Sequence, residues 1–323
     1  MNKFKSIYAG KLDMMLQYRV ARGFKQDTHG SNLLKFDAYC VKHFPHETEL
    51  TREVVHAWLD SETAAEHDIR TRASSIRQFG KYLCAVGEPA YVLPEKFAHH
   101  TNRFVPYIFT DSELTALFAE VDKLPQDKNE PFIHEIAPVL FRLIYTCGLR
   151  PNEGRGIEYG NVDLSSGEVL VANTKRNKER IVVMSDDMVT LCRDYDLRRK
   201  IFANGSPYFF PSNNGGQFTA AKIYTLLNKA WVSAACSPQN PVPRPIRVYD
   251  LRHRFASACL NNWLNQGRNL MVMLPYLREY MGHGSMNETA YYIHILPENL
   301  IKSSAVDWTE LNSLLPEVGV CPN

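Results

Sequence analysis

The segment TCGLRPNEG, residues 146–154, places an arginine, Arg150, directly after the predicted end of a helix. The stretch before it, from about 132 to 147, is apolar and helical in pattern, and Gly148 is a natural stop for that helix. An arginine that follows a helix is most often a surface residue or half of a salt bridge. The role of Arg150 therefore depends on the segments that follow it along the chain.

A predicted β-hairpin comes next in the sequence. Two apolar stretches, VLVAN at 169–173 and RIVVM at 180–184, flank the polar segment TKRNKE at 174–179, which is the pattern of two strands joined by a turn. The turn is basic and contains Lys175. A lysine in a turn is usually solvated, so Lys175 alone indicates no particular chemistry.

Three further segments carry candidate side chains. They are VYDLRHRFAS at 248–257 with Arg252, YMGHGS at 280–285 with His283, and ETAYYIH at 288–294 with two adjacent tyrosines. Each has an ordinary explanation as a surface cation, a helix cap or a packing residue. Only their combination and order can distinguish a functional set from these explanations.

The combined motifs resemble the tyrosine recombinase family, which contains the phage integrases and the Xer-type recombinases. The motifs are T-x-G-L-R-x-x-E, a hairpin with T-K-x-N-K-E-R, D-L-R-H-x-F-A, and G-H followed nine residues later by Y-x-H. The resemblance covers about residues 105–300, and four motifs in this order form a specific signal. It implies a site-specific DNA recombinase or integrase.

The resemblance also implies a role for each matching residue. Tyr292 corresponds to the nucleophile, and the Y-x-H pattern with His294 selects it over the competitor Tyr291. The two family arginines that grip the scissile phosphate match Arg150 and Arg252. The hairpin lysine and the second histidine of the family complete the predicted catalytic set, which is Arg150, Lys175, Tyr249, Arg252, His283 and Tyr292.

One position departs from the family pattern. The family usually has a histidine three residues before the second arginine, and this chain has Tyr249 there. A tyrosine hydroxyl donates hydrogen bonds to phosphate oxygens, but its reference pKa of about 10 makes it a poor proton carrier near neutral pH. We therefore predict that Tyr249 contacts the phosphate without acting as a general base, and that His253 has a structural role.

The residue types suit phosphoryl transfer to a tyrosine. Two guanidiniums stabilise the negative charge that develops on the phosphate oxygens and favour the phenolate of the nucleophile. Lys175 is expected to act as general acid for the leaving 5′ oxygen. The sequence contains neither a phosphate-cradling glycine-rich loop nor a convincing carboxylate cluster for two magnesium ions, so we expect no metal, no ATP and no other cofactor.

The pattern along the chain predicts a fold that is mainly α with a small antiparallel β-sheet. The stretch from about 94 to 110 contains two prolines and reads as a linker. We predict a helical core-binding (DNA-binding) domain with its linker at 1–104 and a catalytic domain at 105–323. Thr110 and Glu113 form a predicted capping box at the first helix of the second domain.

A basic helix is predicted within the first domain. The segment RTRASSIRQFGKYL, residues 70–83, has an apolar stripe at helical spacing and resembles a DNA-contacting helix of the family. The alternative is a solvated charged face. The cations that we predict to contact DNA phosphates are Arg70, Arg72, Arg77 and Lys81.

Composition restricts the setting of the protein without identifying its partner. The net charge is only +2, so bulk charge does not show a polyanion binder. The seven cysteines are scattered and form no C-x-x-C pair, which favours a reducing compartment. No apolar run approaches the length of a membrane span, and the N-terminus lacks the core of a signal peptide. We therefore expect a cytoplasmic protein of bacterial, phage or mobile-element origin.

The resemblance implies double-stranded DNA as the partner and a homotetramer on two DNA sites, with accessory proteins as a further partner class. Two alternatives stay open. One is a non-catalytic DNA-binding regulator of the same fold, which only Tyr249 favours, and the other is a type IB topoisomerase with the same chemistry. The segment 298–315 has apolar residues at helical spacing and suits either a neighbouring protomer or its own domain.

Overall fold

The structure of the chain is a computed structural model that describes residues 4–23, 27–61, 66–97, 106–172, 179–203, 205–236 and 243–292. Contacts between residues divide the chain into two compact units, Met1–Phe104 and Val105–Asn323. The described residues are mostly helical, with one small antiparallel sheet. The predicted fold class is therefore confirmed, whereas the functional roles given to the two units remain predictions.

The described residues of the first unit form four helices around an aromatic core. Their bounds are Ala9–Ala21 (α1), Asp27–His43 (α2), Arg52–Asp60 (α3) and Glu66–Ala85 (α4). The ring of Phe36 packs edge-on against Trp58, with 5.2 Å between the ring centroids, and both side chains are buried. Edge-to-face aromatic pairs add to the stability that burial provides. The α2, α3 and α4 helices thus share one core.

The second unit contains eight helices and three strands among its described residues. The helices are Asp111–Asp122 (α5), Ile133–Thr146 (α6), Pro151–Arg155 (α7), Asp186–Phe202 (α8), Ala220–Ala235 (α9), Val248–Asn265 (α10), Leu270–Met281 (α11) and Met286–Ala290 (α12). The strands are Val162–Asp163 (β1), Glu168–Val171 (β2) and Arg180–Val183 (β3).

The sheet has the order β1-β2-β3, and both pairs of strands are antiparallel. In the pairing of β2 with β3, Val169 lies opposite Val182 and Leu170 opposite Ile181. The inward positions of β2 are buried and the outward ones exposed, as expected for a strand that covers a core on one face. The predicted hairpin is therefore present, and its turn, 173–178, lies outside the described residues.

Helix α6 lies at the centre of the second unit. It packs against α5, α7, α8 and α10, and eight of its 14 residues are buried. Helix α5, beside it, begins with the predicted capping box: the Thr110 amide donates to the Glu113 carboxylate at 2.8 Å, and the Glu113 amide donates to Thr110 Oγ1 at 3.2 Å. The cap fixes the direction in which the chain enters this unit.

Glycine turns follow helices α6 and α11. Helix α6 stops at Gly148, whose φ is +58°, and a Cβ there would lie 2.4 Å from the ring of Phe255. Helix α11 stops at Gly282, whose φ is +64°. A left-handed residue at a helix end favours glycine because other side chains are strained there. Both turns expose backbone carbonyls toward the same group of arginines.

Within the described residues, no helix combines the length and the apolar composition that crossing a membrane would require.

Candidate active site

Arg150 lies at the N-terminus of α7, immediately after the Gly148 turn. Its amide donates to Glu153 Oε2 at 2.9 Å, and its Nη1 donates to Glu153 Oε1 at 2.7 Å. Its Nη2 donates to the carbonyl of Gly282 at 2.6 Å. Burial acts to lower the pKa of Arg150, but hydrogen bonds with Glu153 and Tyr249 raise it above its usual value. The guanidinium is thus fixed and charged.

Arg252 is the most deeply buried cation of the site, with an exposed fraction of 0%. From α10 its Nη1 donates to the carbonyl of Gly148 at 2.7 Å, and its Nη2 donates to the carbonyl of Met281 at 2.6 Å. Its Nε is buried and has no hydrogen-bond partner among the described residues. A buried cationic N–H without an acceptor is costly and rare. The arginine is therefore short of one acceptor in this state.

His283 lies beside Arg252 and accepts a second hydrogen bond from its Nη2 atom. The distance from Arg252 Nη2 to His283 Nε2 is 2.9 Å, and His283 Nδ1 lies 2.8 Å from Thr289 Oγ1. A guanidinium only donates, so Nε2 must be the acceptor, and the ring proton of neutral His283 is on Nδ1. Burial, followed by the charges of Arg252 and Arg150, lowers the pKa of His283 to about 3. The ring is neutral near neutral pH.

Glu153 and Arg180 form a second layer behind these residues. Arg180 Nη1 donates to Glu153 Oε1 at 3.1 Å, and Arg180 Nη2 donates to Glu153 Oε2 at 2.8 Å. Burial acts to raise the pKa of Glu153, but its hydrogen bonds with Arg180 and the charge of Arg180 lower it to about 2. The carboxylate is therefore ionised. Sequence reasoning gave neither residue a role, although the glutamate of T-x-G-L-R-x-x-E and the arginine of T-K-x-N-K-E-R are part of the motifs.

Tyr292 is buried beside these cations, with an exposed fraction of 2%. Its ring stacks on His283, with 5.8 Å between the centroids and 15° between the planes, and it packs 5.4 Å from His253. Burial raises the pKa of Tyr292 to about 12, although the charge of Arg252 acts to lower it. The phenol is thus protonated in this state. The neighbouring Tyr291 is half-buried, with its ring centroid 6.2 Å away.

These contacts bring together four predicted residues, Arg150, Arg252, His283 and Tyr292, which are widely separated in the sequence. A family model described as the phage integrase family matches residues 108–299 of this chain. The chain belongs to the phage integrase family. This membership confirms the predicted recombinase function, and nothing in the comparisons supports a non-catalytic regulator.

The chain is also similar to individual relatives over most of its length, and solved structures share its fold. Tyrosine recombinase XerD of Rickettsia conorii is 26% identical over 311 residues, which cover 90% of this chain and 95% of the relative. The crystal structure of the XerH site-specific recombinase bound to palindromic difH substrate matches with a TM-score of 0.63 at 19% identity, over 88% of this chain and 79% of that chain. A lambda integrase tetramer bound to a Holliday junction matches with a TM-score of 0.52 at 14% identity. The match covers 76% of this chain and 71% of that chain.

Tyr249 occupies the place of the usual family histidine, one turn before His253 on α10. The guanidinium carbon of Arg252 lies 6.0 Å from the centre of the Tyr249 ring, and Tyr249 contributes to the raised pKa of Arg150. Tyr249 thus lies among the phosphate-binding candidates of this integrase-family site. His253 packs against it with 5.0 Å between the rings, and burial followed by nearby arginines lowers the pKa of His253 to about 4. Its packing agrees with a structural role.

Two predicted residues in this part of the integrase fold lie outside the described residues. Lys175 belongs to the hairpin turn, and His294 follows Tyr292 by two positions. The strands on either side of the turn are described, so the base of the hairpin is defined. The catalytic role of Lys175 and the selection of Tyr292 by His294 remain predictions.

The four basic residues predicted to contact DNA do not form one exposed face on α4. Arg72 is 3% exposed, and its guanidinium lies 4.9 Å from the ring of Trp58. Two positions along a helix correspond to about 200° of rotation, which separates Arg72 from the face of Arg70. Arg77 donates to the carbonyls of Leu93 and Pro94 at 2.8 and 2.9 Å, and Lys81 pairs with Glu95 at 3.1 Å.

Arg70 is half-buried on the same helix. In this structure Arg72 belongs to the core of the first unit. Arg77 and Lys81 connect α4 to residues 93–95, which follow it in the chain. DNA contact by the four residues stays a prediction. Arg70, Arg77 and Lys81 can contact DNA without disruption of the core, whereas Arg72 cannot.

Proposed function

We propose that this chain cuts and rejoins DNA strands at a specific site through a covalent bond to Tyr292. The observation that carries the proposal is the convergence of Tyr292, His283 and Arg252. The Tyr292 ring stacks on His283, and His283 accepts a hydrogen bond from Arg252 at 2.9 Å. A phenol, a neutral imidazole and fixed guanidiniums are the groups that metal-free attack on a phosphodiester requires.

The unsatisfied Nε of Arg252 supports a phosphate as the missing partner. The atom is a charged donor, buried, and without an acceptor among the described residues. An oxygen of a DNA phosphate supplies such an acceptor through a charge-assisted hydrogen bond. Arg150 contributes the second guanidinium, and Tyr249, whose ring centre lies 6.0 Å from the guanidinium carbon of Arg252, contributes a neutral donor. We therefore assign these three side chains to the scissile phosphate.

The proposed reaction proceeds in two reversible halves. The Tyr292 oxygen forms a bond to phosphorus, and the bond from phosphorus to the 5′ oxygen breaks. The phenol proton is released to water, and Lys175 donates a proton to the leaving oxygen. The product is a 3′-phosphotyrosyl link with a free 5′ hydroxyl, which conserves the bond energy, so rejoining needs neither ATP nor a metal.

Tyr292 is protonated and buried before DNA binds. Its pKa of about 12 leaves the phenolate scarce near neutral pH. Binding of a phosphate recruits the guanidiniums and excludes water, while cations placed close to the phenol favour its ionised form. We propose that binding of the DNA site rearranges this pocket before cleavage.

The wider setting of the proposal is an assembly on two DNA sites. We propose a homotetramer that exchanges strands through a Holliday junction, in the cytoplasm of its host. The likeness to the lambda integrase tetramer on a Holliday junction supports this assembly through the shared fold. The first unit is proposed to hold the DNA, with Arg70, Arg77 and Lys81 as its outer cations.

Covalent trapping tests the proposal. A binding site is first selected from random-sequence duplex DNA, and a nicked version of it serves as a suicide substrate. We expect a denaturation-resistant adduct with the wild type and with Tyr291→Phe, and none with Tyr292→Phe. An adduct lost only with Tyr291→Phe would move the nucleophile by one residue. No adduct from any variant, on DNA that the protein binds, would reject the catalytic proposal.

A further inference from the structure

Arg180 connects three elements of the active-site unit. It is the first residue of β3, where the described chain resumes after the hairpin turn. Its Nη atoms hold both oxygens of Glu153 on α7, at 3.1 and 2.8 Å. Its Nε donates to the carbonyl of Tyr280 near the end of α11, at 2.7 Å. Every nitrogen of the guanidinium thus has a partner on another element.

The surroundings of Arg180 leave it little freedom. Its side chain is 9% exposed and that of Glu153 is 7% exposed. A Cβ on Gly282 would lie 3.0 Å from Arg180 Nη1, so the left-handed glycine turn and the guanidinium fit against each other. A planar fork with fixed donors makes this bidentate contact, whereas the single ammonium of a lysine does not reproduce it. The contact therefore fixes both position and orientation.

Charge also favours the arrangement. Three guanidiniums, those of Arg150, Arg180 and Arg252, surround the single carboxylate of Glu153, with Arg252 Nη1 at 3.9 Å from it. Arg180 donates one hydrogen bond to each oxygen of the Glu153 carboxylate. The cluster keeps a net positive charge, and the three nitrogens of Arg180 all bond to Glu153 and Tyr280.

We propose that Arg180 is a positioning residue of the cleavage reaction, which anchors the base of the β2–β3 hairpin to Glu153 and to the end of α11. The inference rests on the proposed function, because that function assigns Lys175 of the hairpin turn as the general acid. The anchor holds the start of β3 beside the two elements that carry Arg150 and His283. Lys175, the proposed general acid, lies between β2 and β3 in the sequence, so loss of the anchor is expected to slow protonation of the leaving oxygen.

A sulfur-substituted substrate separates this role from a general structural one. When sulfur replaces the bridging 5′ oxygen, the leaving thiolate needs no proton, because a thiol has a pKa of only about 8.5. A misplaced general acid then no longer limits the reaction. Adduct formation is measured per folded protein on the ordinary and the sulfur substrate, together with DNA affinity, for the wild type, Arg180→Gln and Arg180→Lys.

The chain offers a matched control in Arg199. It is also buried, and its guanidinium donates to the carbonyls of Phe209, Ser206 and Tyr208 at 3.0, 3.0 and 2.6 Å. Arg199→Gln removes a buried arginine with comparable bonds but no contact to the site. We expect it to lower stability and to leave the rate of adduct formation per folded protein unchanged on both substrates.

We expect Arg180→Gln to bind DNA normally and to form the adduct about 100-fold more slowly on the ordinary substrate, as a displaced catalytic group does. On the sulfur substrate the deficit should fall to about tenfold or less, since general acid catalysis contributes roughly 10²–10⁴-fold. Arg180→Lys should be intermediate. An unchanged rate, or an equal loss on both substrates, would overturn the inference. Loss of all adduct from the wild type would instead reject the proposed function itself.

Discussion

Acid should destabilise the second unit through His283, and replacement by glutamine should remove that effect. The folded pKa of His283 is about 3 because of burial and the charges of Arg252, Arg150 and Arg180. The unfolded pKa is about 6.5. A histidine whose folded pKa is lowered contributes stability that is present above the unfolded pKa. That stability is lost as the pH falls from about 6.5 toward 3.

The size of the effect follows from proton linkage. Between pH 7.5 and 5.0 the unfolded chain takes up a proton at this position and the folded chain does not. Each pH unit below the unfolded pKa costs about 1.4 kcal/mol, so the loss over this interval is about 2 kcal/mol. His253, with a folded pKa of about 4, adds a loss in the same direction in both proteins. Comparison with a variant therefore isolates His283.

Urea titrations of the wild type and His283→Gln at pH 7.5 and 5.0 test this expectation. Unfolding of the second unit is followed by pulsed hydrogen exchange of its peptides, because the two units need not unfold together. The variant should lose about 2 kcal/mol less of its unfolding free energy than the wild type between the two pH values. Equal losses in the two proteins would show that His283 is not held neutral by the buried guanidiniums.

Three other substitutions have defined outcomes. Tyr249→Phe should slow adduct formation about 10- to 100-fold without changing DNA affinity, because a hydrogen bond to a charged group contributes roughly 1.5–3 kcal/mol. Gly148→Ala should lower the free energy of unfolding, measured by urea titration, by at least about 1 kcal/mol, since it combines a positive φ with a clash against Phe255. The control Gly160→Ala, where a Cβ meets no atom within 4 Å, should not lower it. Arg72→Gln should lower the unfolding free energy of the first unit and weaken DNA binding only as a consequence. A urea titration measures the stability, and a DNA titration measures the affinity.

Local features of the fold were predictable from the sequence. The capping box of Thr110 and Glu113, the stop at Gly148 and the strands around the hairpin depend on neighbours within a few residues. Such features have short-range signatures in capping residues, left-handed glycines and alternating burial. The site was predicted from motif order, and the contacts of Arg150, Arg252, His283 and Tyr292 agree with that grouping.

Long-range partners could not be derived in the same way. Arg180 meets Glu153 across 27 positions and the carbonyl of Tyr280 across 100, and no local pattern marks either contact. The burial of Tyr292 and its protonated state likewise depend on how α10 and α11 pack. Arg72 is different, because its position two residues after Arg70 already places it on the inner side of the helix.

Identification of the residue that carries DNA tests the central claim most directly. The trapped adduct is digested with nuclease and trypsin, and the peptide that contains Tyr291 and Tyr292 is fragmented in a mass spectrometer. We expect the remaining nucleotide on Tyr292, attached through its 3′ phosphate. A nucleotide on Tyr291, on another side chain or attached through a 5′ phosphate would contradict the assignment of Tyr292 as the nucleophile that is positioned by His283 and Arg252.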